Sequence, residues 1–183
     1  MIPSAATALF ITGERNVGKS TLIKRICASL NVNTKGFQTF SEIENSTGKR
    51  TFYIKSFNSP EKKIIGQKNP DNNLEIFPDT FDSFGTEILN LINLNDNNLI
   101  IFDEIGRFEE TSLKFKNKIK DLIADKHYIL GVLKKWDSPF LKMIPKMKGV
   151  FVLEINKENR EEKYFEILKF IKNNWLNLFI EDK

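Results

Sequence analysis

Short apolar runs alternate with amphipathic stretches along most of the chain, and this alternation predicts the elements of the fold. The apolar run at residues 8–12 stops at a glycine, which is typical of a buried strand. In residues 19–30 the apolar side chains recur at helical spacing and predict an amphipathic helix. Further apolar runs at residues 99–102, 128–133 and 150–155 predict three more buried strands.

The segments between these runs predict further helices, a pair of shorter strands and one long loop. Residues 37–43 and 50–57 are typical of strands, joined by a turn at Asn45-Ser46-Thr47-Gly48. Residues 58–73 are rich in Asn, Lys, Pro and Gly, and we expect an exposed loop there. Helices are predicted from Pro78-Asp79 through Leu94, from Thr111-Ser112 to about Lys126, and from Asn159 to about Leu178.

This order of elements predicts the class of fold. Strands that alternate with helices favour an α/β fold, with a mostly parallel central sheet and helices on both faces. The chain has 183 residues, and no repeat, low-complexity tract or change of composition marks a boundary within it. We therefore expect a single domain over residues 1–183, in which residues 58–84 form a variable loop or insert region.

The composition of the chain indicates the cellular compartment in which the protein is expected. The chain is 40% hydrophobic and 28% charged, as in soluble globular proteins, and no apolar run approaches the roughly 20 residues that span a bilayer. The start, Met1-Ile2-Pro3-Ser4, lacks the basic region of a secretory signal. A single cysteine, Cys27, excludes an internal disulfide and a cysteine-based zinc site. We expect a cytoplasmic protein without a membrane partner.

The net charge of +4 raises the question of a polyanionic partner. Ten lysines lie between Lys114 and Lys148, opposed by three aspartates. This surplus is typical of a solvated helix face, although it also fits a surface for RNA, DNA or polyphosphate. The segment has no arginine for bidentate phosphate contacts and few aromatic side chains for base stacking, so nucleic-acid binding is only weakly supported.

A more specific signal follows the first predicted strand. The sequence Gly13-Glu14-Arg15-Asn16-Val17-Gly18-Lys19-Ser20-Thr21 fits the pattern G-x-x-x-x-G-K-[ST] between a strand and a helix. In such a phosphate loop the backbone N–H groups surround the phosphates of a nucleotide. We expect Lys19 to reach the terminal phosphates and the Ser20 hydroxyl to contact Mg²⁺.

The predicted strand at residues 99–102 supplies the second half of such a site. It is followed directly by Asp103 and Glu104. A carboxylate at the end of a buried strand beside the phosphate loop is suited to Mg²⁺ and its water shell, so we predict Asp103 and Ser20 as the metal residues. Glu104 is placed to orient or deprotonate an attacking water, and we predict Glu104 and Lys19 as the catalytic residues.

A second interpretation of the same residues is a guanine-specific switch. Asp103-Glu104-Ile105-Gly106 also fits D-x-x-G, and Asn156-Lys157-Glu158-Asn159 resembles the base-reading N-K-x-D. That motif selects guanine through a carboxylate, whereas Asn159 carries an amide. The guanine code is therefore incomplete.

Taken together, these motifs resemble the small cytoplasmic P-loop nucleoside-triphosphatases described from thermophiles and, in animals, as cancer-related NTPase. The resemblance covers most of the chain. Besides the phosphate loop, it rests on three segments: Gly36-Phe37-Gln38-Thr39 (G-F-x-T), Asp103-Glu104-Ile105-Gly106-Arg107-Phe108-Glu109 (D-E-I-G-[KR]-x-E) and Asn156-Lys157-Glu158-Asn159-Arg160 ([TN]-K-E-N-R). It implies a RecA-like P-loop core, with Glu104 as the catalytic carboxylate and Asn159 and Arg160 lining the nucleotide site.

The resemblance also implies the reaction. We expect slow, Mg²⁺-dependent hydrolysis of ATP, GTP and other triphosphates, with little preference for the base. The chain departs from the family after Thr39, where the family usually has acidic residues and an arginine and this chain has Phe40, Ser41, Glu42 and Ile43. The hairpin at Gly48-Lys49-Arg50-Thr51-Phe52 lacks the second glycine of the family's G-x-R-x-G-F, and residues 58–84 have no clear counterpart.

Two other functions remain open from the sequence. The same core suits a nucleotide or small-metabolite kinase, although the chain has only five arginines and such enzymes place several over the phosphates. A module that binds RNA or protein under nucleotide control is the other alternative, through the lysines at 114–148. The sequence is silent on oligomeric state, and a monomer is our working expectation.

Overall fold

The structure is a computed structural model that describes residues 1–30, 32–57, 59–93 and 98–175. Within these ranges eight strands form one sheet in the order β5-β4-β3-β2-β6-β7-β1-β8. The strands are β1 (Ala8–Thr12), β2 (Thr34–Ile43), β3 (Arg50–Ser56), β4 (Lys62–Lys68), β5 (Leu74–Ile76), β6 (Leu99–Ile105), β7 (Ile129–Leu133) and β8 (Val150–Glu154). The helices are α1 (Lys19–Leu30), α2 (Pro78–Thr80), α3 (Thr86–Asn90), α4 (Leu113–Ala124), α5 (Pro139–Met143) and α6 (Arg160–Asn174).

Five neighbouring strands, β2-β6-β7-β1-β8, are parallel. The central strands β1, β6 and β7 are buried almost throughout, which explains their continuous apolar runs. Because these strands are parallel, their carboxyl ends lie at one edge of the sheet, where ligands of open α/β sheets bind. Strand β7 separates β1 from β6, so the loop after β1 and the acidic end of β6 flank the end of β7.

Helices cover both faces of this parallel part. On one face, Leu22 and Ile26 of α1 pack with Ile167 and Ile171 of α6 in a cluster with the inner side chains of the sheet. On the other face, the cluster includes buried side chains of α3, α4 and α5, among them Phe115. The predicted α/β class, with a mostly parallel sheet covered on both faces, is confirmed.

The prediction of an exposed loop at residues 58–73 is wrong. Residues Lys62–Lys68 form β4, which pairs antiparallel with β3 and with β5 and extends the sheet beyond β2. Gly66 lets β4 and β5 approach closely, since a Cβ there would lie 2.6 Å from the Glu75 carbonyl oxygen. The segment predicted as a variable loop, 58–84, therefore contains two strands and the start of a helical segment. That the whole chain is one domain stays a prediction.

Helix bounds differ modestly from expectation. The helix predicted from Pro78 runs through α2, a π-helical turn at Phe81–Gly85 and α3, and it ends at Asn90, before the predicted end at Leu94, which itself lies outside the described residues. The last helix, α6, ends at Asn174, before the predicted end at Leu178, which also lies outside the described residues. Helix α4 begins after a 3₁₀ turn at Phe108–Thr111, and the short α5 was not predicted. No helix among the described residues is long and apolar enough to cross a membrane.

Candidate functional site

The phosphate loop connects β1 to α1, and its backbone requires its glycines. Gly13 and Gly18 have φ angles of +150° and +95°, and Asn16 has one of 62°. A Cβ at Gly13 would lie 2.2 Å from the carbonyl oxygen of Ile155, the residue after β8. The loop is therefore packed tightly against the end of β8, and only glycine fits at its first position. Val17 anchors the loop in the core, whereas Glu14, Arg15, Asn16 and Thr21 are exposed.

Lys19 folds back over this loop. Its Nζ atom donates to the Gly13 carbonyl oxygen at 3.0 Å and to the Glu14 carbonyl oxygen at 2.8 Å. Burial lowers the pKa of Lys19, while the nearby Glu104 carboxylate raises it and Lys134 lowers it. The ammonium group is thus held against the backbone of the phosphate loop.

Asp103 joins the acidic strand end to the phosphate loop. The Ser20 hydroxyl donates to Asp103 Oδ1 at 2.7 Å, and Gln38 Nε2 donates to Oδ2 at 3.4 Å. Asp103 is almost fully buried, and this burial raises its pKa to about 6. The hydrogen bond from Ser20 acts in the opposite direction and lowers the pKa. The structure thus brings together the two residues predicted to hold a metal.

Glu104 lies beside Asp103 with about a quarter of its side chain exposed. Its backbone is fixed by Thr39: the Glu104 N–H donates to Thr39 Oγ1, and the Thr39 hydroxyl lies at 3.3 Å from the Glu104 carbonyl oxygen. Its carboxylate receives a hydrogen bond from Lys134 Nζ at 2.8 Å. Asp103 and Glu104 belong to strand β6 itself, which continues to Ile105, three residues beyond the predicted strand end.

Asn159 and Arg160 lie on the α6 side of the loop. Asn159 organises the turn after β8, where its Oδ1 accepts from the Asn156 N–H at 2.9 Å and its Nδ2 donates to the Glu154 carbonyl oxygen. The Arg160 guanidinium approaches Gly18, where a Cβ would lie 3.1 Å from Nη1. The geometry places Arg160 next to the loop, and the role of either residue toward a nucleotide stays a prediction.

A buried carboxylate, Glu109, supports the turn after Glu104. Its Oε2 accepts a hydrogen bond from the Gly106 N–H at 2.8 Å, and only 1% of the residue is exposed. Burial raises the pKa of Glu109 to about 7, against that hydrogen bond, which lowers it. Ionising Glu109 in the folded protein is therefore unfavourable.

We expect Glu109→Gln to change how stability depends on pH. The pKa of Glu109 is raised above its ordinary value of 4.5, so the unfolded chain releases this proton first, and folding stability falls as pH rises from about 4.5 to about 7. A shift of this size corresponds to about 3 kcal/mol. Glutamine keeps an acceptor for Gly106 without the charge, so the variant should exceed wild type in free energy of unfolding at pH 8 by up to that amount.

Urea unfolding at pH 5 and pH 8 measures this difference. At pH 5 the advantage of Glu109→Gln should shrink to about a quarter of its value at pH 8, because Glu109 is then still protonated in the folded protein and is only about half a pH unit past its ordinary pKa in the unfolded chain. The exposed Glu87→Gln on α3 is the matched control and should show no such change. An equal difference between Glu109→Gln and wild type at both pH values would contradict the assignment.

Two of the lysines at 114–148 depart from the expected solvated face, because they pair with carboxylates beside the phosphate loop. Lys134 pairs with Glu104, and Lys135 pairs with Glu14 of the phosphate loop and with Glu154 of β8. Lys116 donates to the Glu110 carbonyl oxygen, and Lys142 pairs with Asp137. Two of the ten lysines therefore belong to the surroundings of the phosphate loop.

Sequence reasoning gave no role to several residues that shape this site: Gln38, Thr39, Glu109, Lys134 and Lys135. Gln38 and Thr39 lie in the G-F-x-T segment, and the pairing of β2 with β6 places Gln38 directly opposite Asp103. The glycine of that segment, Gly36, permits this pairing, because a Cβ there would lie 2.1 Å from the Ile101 carbonyl oxygen. The G-F-x-T segment is the sequence signal that could have pointed to Gln38 and Thr39. These residues reach Asp103 and Glu104 only because β2 lies beside β6 in the sheet.

Comparisons with known proteins agree with this geometry. A protein-family model described as NTPase matches residues 8–168. The chain is 31% identical to nucleoside-triphosphatase THEP1 of Thermotoga petrophila, over 91% of this chain and 93% of that protein. It is also 31% identical to THEP1 of Methanocaldococcus jannaschii, over 89% of this chain and 96% of that protein. The crystal structure of THEP1 from Aquifex aeolicus superposes with a TM-score of 0.74 at 27% identity, covering 90% of this chain and 99% of that one.

Proposed function

Since the chain belongs to this NTPase family and is an NTP-hydrolysing enzyme, we propose that hydrolysis takes place where the phosphate loop faces Asp103 and Glu104. The proposed reaction is slow, Mg²⁺-dependent hydrolysis of the bond between the β- and γ-phosphates, with ATP, GTP and other triphosphates as substrates. The observation that carries the proposal is the hydrogen bond between Ser20 and Asp103, which joins the loop to the acidic end of β6.

We assign substrate binding to the phosphate loop, residues 13–21. Asn16 and Gly18 have positive φ angles, and we expect the N–H groups of this loop to surround the phosphates, as in other anion-binding loops. We assign Lys19 to the terminal phosphates, in exchange for its present bonds to two loop carbonyls. Arg160, beside Gly18, is the nearby cation of α6 available to the nucleotide.

Ser20 and Asp103 fit Mg²⁺. One hydroxyl and one carboxylate offer hard oxygen ligands, and Mg²⁺ is commonly held by one or two carboxylates with substrate phosphates and water. When bound, the ion would neutralise charge on the phosphates and favour the ionised form of Asp103. The protein's own part is to keep the Asp103 carboxylate oriented, through Ser20 on one oxygen and Gln38 on the other.

We assign Glu104 to the attacking water. Its backbone is fixed by Thr39, and its carboxylate stays partly accessible at the edge of the sheet. Accepting the proton or orienting the water are both within the capacity of a carboxylate at this position. Turnover should be slow unless a cation stabilises the transition state, because arginine assistance is worth roughly 10³–10⁵ in rate. Arg15 and Arg160 are the candidates for that cation.

Low base selectivity is part of the proposal. The amide of Asn159 is engaged in the turn after β8, and the carboxylate that a guanine code needs is replaced there by an amide. Phosphate release should therefore differ little among ATP, GTP, CTP and UTP at saturating concentrations. A marked preference for one base would contradict this part of the proposal.

Adding nucleoside monophosphates or other candidate acceptors distinguishes a hydrolase from a kinase. We expect ADP and free phosphate to form from ATP in equal amounts at the same rate with every acceptor. ADP that forms faster than phosphate with one acceptor would identify a kinase instead. We also propose a cytoplasmic location, since the lone cysteine, Cys27, suits a reducing compartment. A monomer is the oligomeric state that we propose.

A further inference from the structure

Lys134 lies where the strand order brings the two halves of the site together. It follows the last residue of β7, the strand between β1 and β6. Its backbone N–H donates to the Ile105 carbonyl oxygen at 2.9 Å, which fixes the end of β7 to the end of β6. Residue 134 therefore lies between the phosphate loop, which follows β1, and the acidic end of β6.

The side chain is directed onto Glu104. Its Nζ atom lies 2.8 Å from Glu104 Oε1, and 41% of the Lys134 side chain is exposed against 27% for Glu104. The aliphatic stem crosses Gly106, where a Cβ would lie 3.2 Å from Lys134 Cδ. Gly106 therefore leaves the space that the stem occupies, and the buried Glu109 holds the Gly106 backbone in place.

The other nearby cation is engaged elsewhere. Lys19 donates to the carbonyl oxygens of Gly13 and Glu14 in this conformation, while Lys134 meets the Glu104 carboxylate directly. A partly exposed ion pair contributes little to folding stability, typically 0–1 kcal/mol. Its main physical effect is to fix the Glu104 carboxylate in one orientation.

We propose that Lys134 is a positioning residue for hydrolysis, which holds the Glu104 carboxylate where it orients the attacking water. This inference rests on the proposed role of Glu104. Without Lys134, the carboxylate is free to turn toward Lys19, and a displacement of about 1 Å in a reacting geometry costs up to about 10²-fold in rate. The effect should appear in kcat, because Lys134 is not assigned to nucleotide binding.

The test compares Lys134→Met, Lys134→Arg, Glu104→Gln and the double variant Lys134→Met/Glu104→Gln. Steady-state phosphate release from Mg²⁺-ATP gives kcat and KM for each. We expect Lys134→Met to lower kcat about tenfold with KM within about twofold of wild type. Lys134→Arg should recover most of the rate, because arginine also pairs with a carboxylate. The matched control is Lys142→Met, whose ion pair with the exposed Asp137 lies on the surface.

The double variant separates positioning from other roles. If Lys134 acts through Glu104, its replacement should change kcat by less than about twofold once Glu104 is glutamine. An equal loss in both backgrounds would mean that Lys134 acts on the phosphates directly and would overturn the inference. Unchanged kcat in Lys134→Met, or a rise in KM alone, would also overturn it. Wild-type kcat in Glu104→Gln would instead refute the proposed role of Glu104.

Discussion

Lys19→Ala is expected to reduce phosphate release by at least about a hundredfold. Lys19 carries the positive charge at the centre of the phosphate loop, partly buried and hydrogen-bonded to two loop carbonyls. A preorganised donor aimed at developing charge in a site shielded from water is typically worth about 10²–10³ in rate. Alanine removes that charge while leaving the glycines that shape the loop.

The measurement is single-turnover phosphate formation from Mg²⁺-ATP at a saturating excess of enzyme, so that weaker binding does not mask the chemical step. Lys146→Ala, an exposed lysine in the 3₁₀ turn after α5, provides the matched loss of one charge. Circular dichroism should show the same fold in both variants. A Lys19→Ala variant that turns over within about tenfold of wild type would exclude Lys19 from the chemical step.

Glu104→Gln should separate binding from hydrolysis. Glutamine has the shape of glutamate and keeps an oxygen acceptor, but it is a far weaker base than a carboxylate. The Thr39 hydrogen bonds to the backbone of residue 104 do not depend on that side chain. We expect Mg²⁺-ATP to bind with nearly wild-type affinity and to be hydrolysed at least roughly tenfold more slowly.

Equilibrium binding of a fluorescent ATP analogue, measured beside single-turnover rates, checks both halves of this expectation. Glu87→Gln removes an exposed carboxylate on α3 and should behave as wild type. Unchanged turnover in Glu104→Gln would falsify the assignment of the water-orienting carboxylate. Loss of binding together with turnover would instead make Glu104 a binding residue.

The parallel half of the fold was predictable because its signals are local. Strands β1, β6 and β7 are continuous apolar runs, since parallel strands buried on both faces need apolar side chains at nearly every position. The phosphate loop is equally local, because its glycines and its lysine act within nine residues of chain. These two signals together predicted that Lys19, Ser20 and Asp103 meet at one edge of the sheet.

The antiparallel half was harder to predict. The sequence of β4, Lys-Lys-Ile-Ile-Gly-Gln-Lys, has few apolar residues, and prolines and asparagines flank it. It forms a strand because β3 and β5 supply its backbone hydrogen bonds, and because Ile65 and Gly66 face the core beside Phe108. Such pairing is a tertiary effect that overrides local propensity.

The contacts around Glu104 depended on strand order, which no motif encodes. Lys134 reaches Glu104 only because β7 lies between β1 and β6, and Thr39 reaches it only because β2 lies beside β6. From composition alone, Lys134 and Lys135 looked like members of a solvated surface. The structure places both within ion-pair distance of carboxylates of the candidate site.

The central claim is that a triphosphate is hydrolysed at the phosphate loop with a metal held by Ser20 and Asp103. Its most direct test is steady-state phosphate release from ATP by the unmodified chain across a Mg²⁺ titration, with EDTA as the metal-free limit. Metal stabilisation of phosphoryl oxygens is worth several kcal/mol. We therefore expect a rate that saturates with Mg²⁺ and falls at least about a hundredfold in EDTA. An equal rate in EDTA would contradict the account.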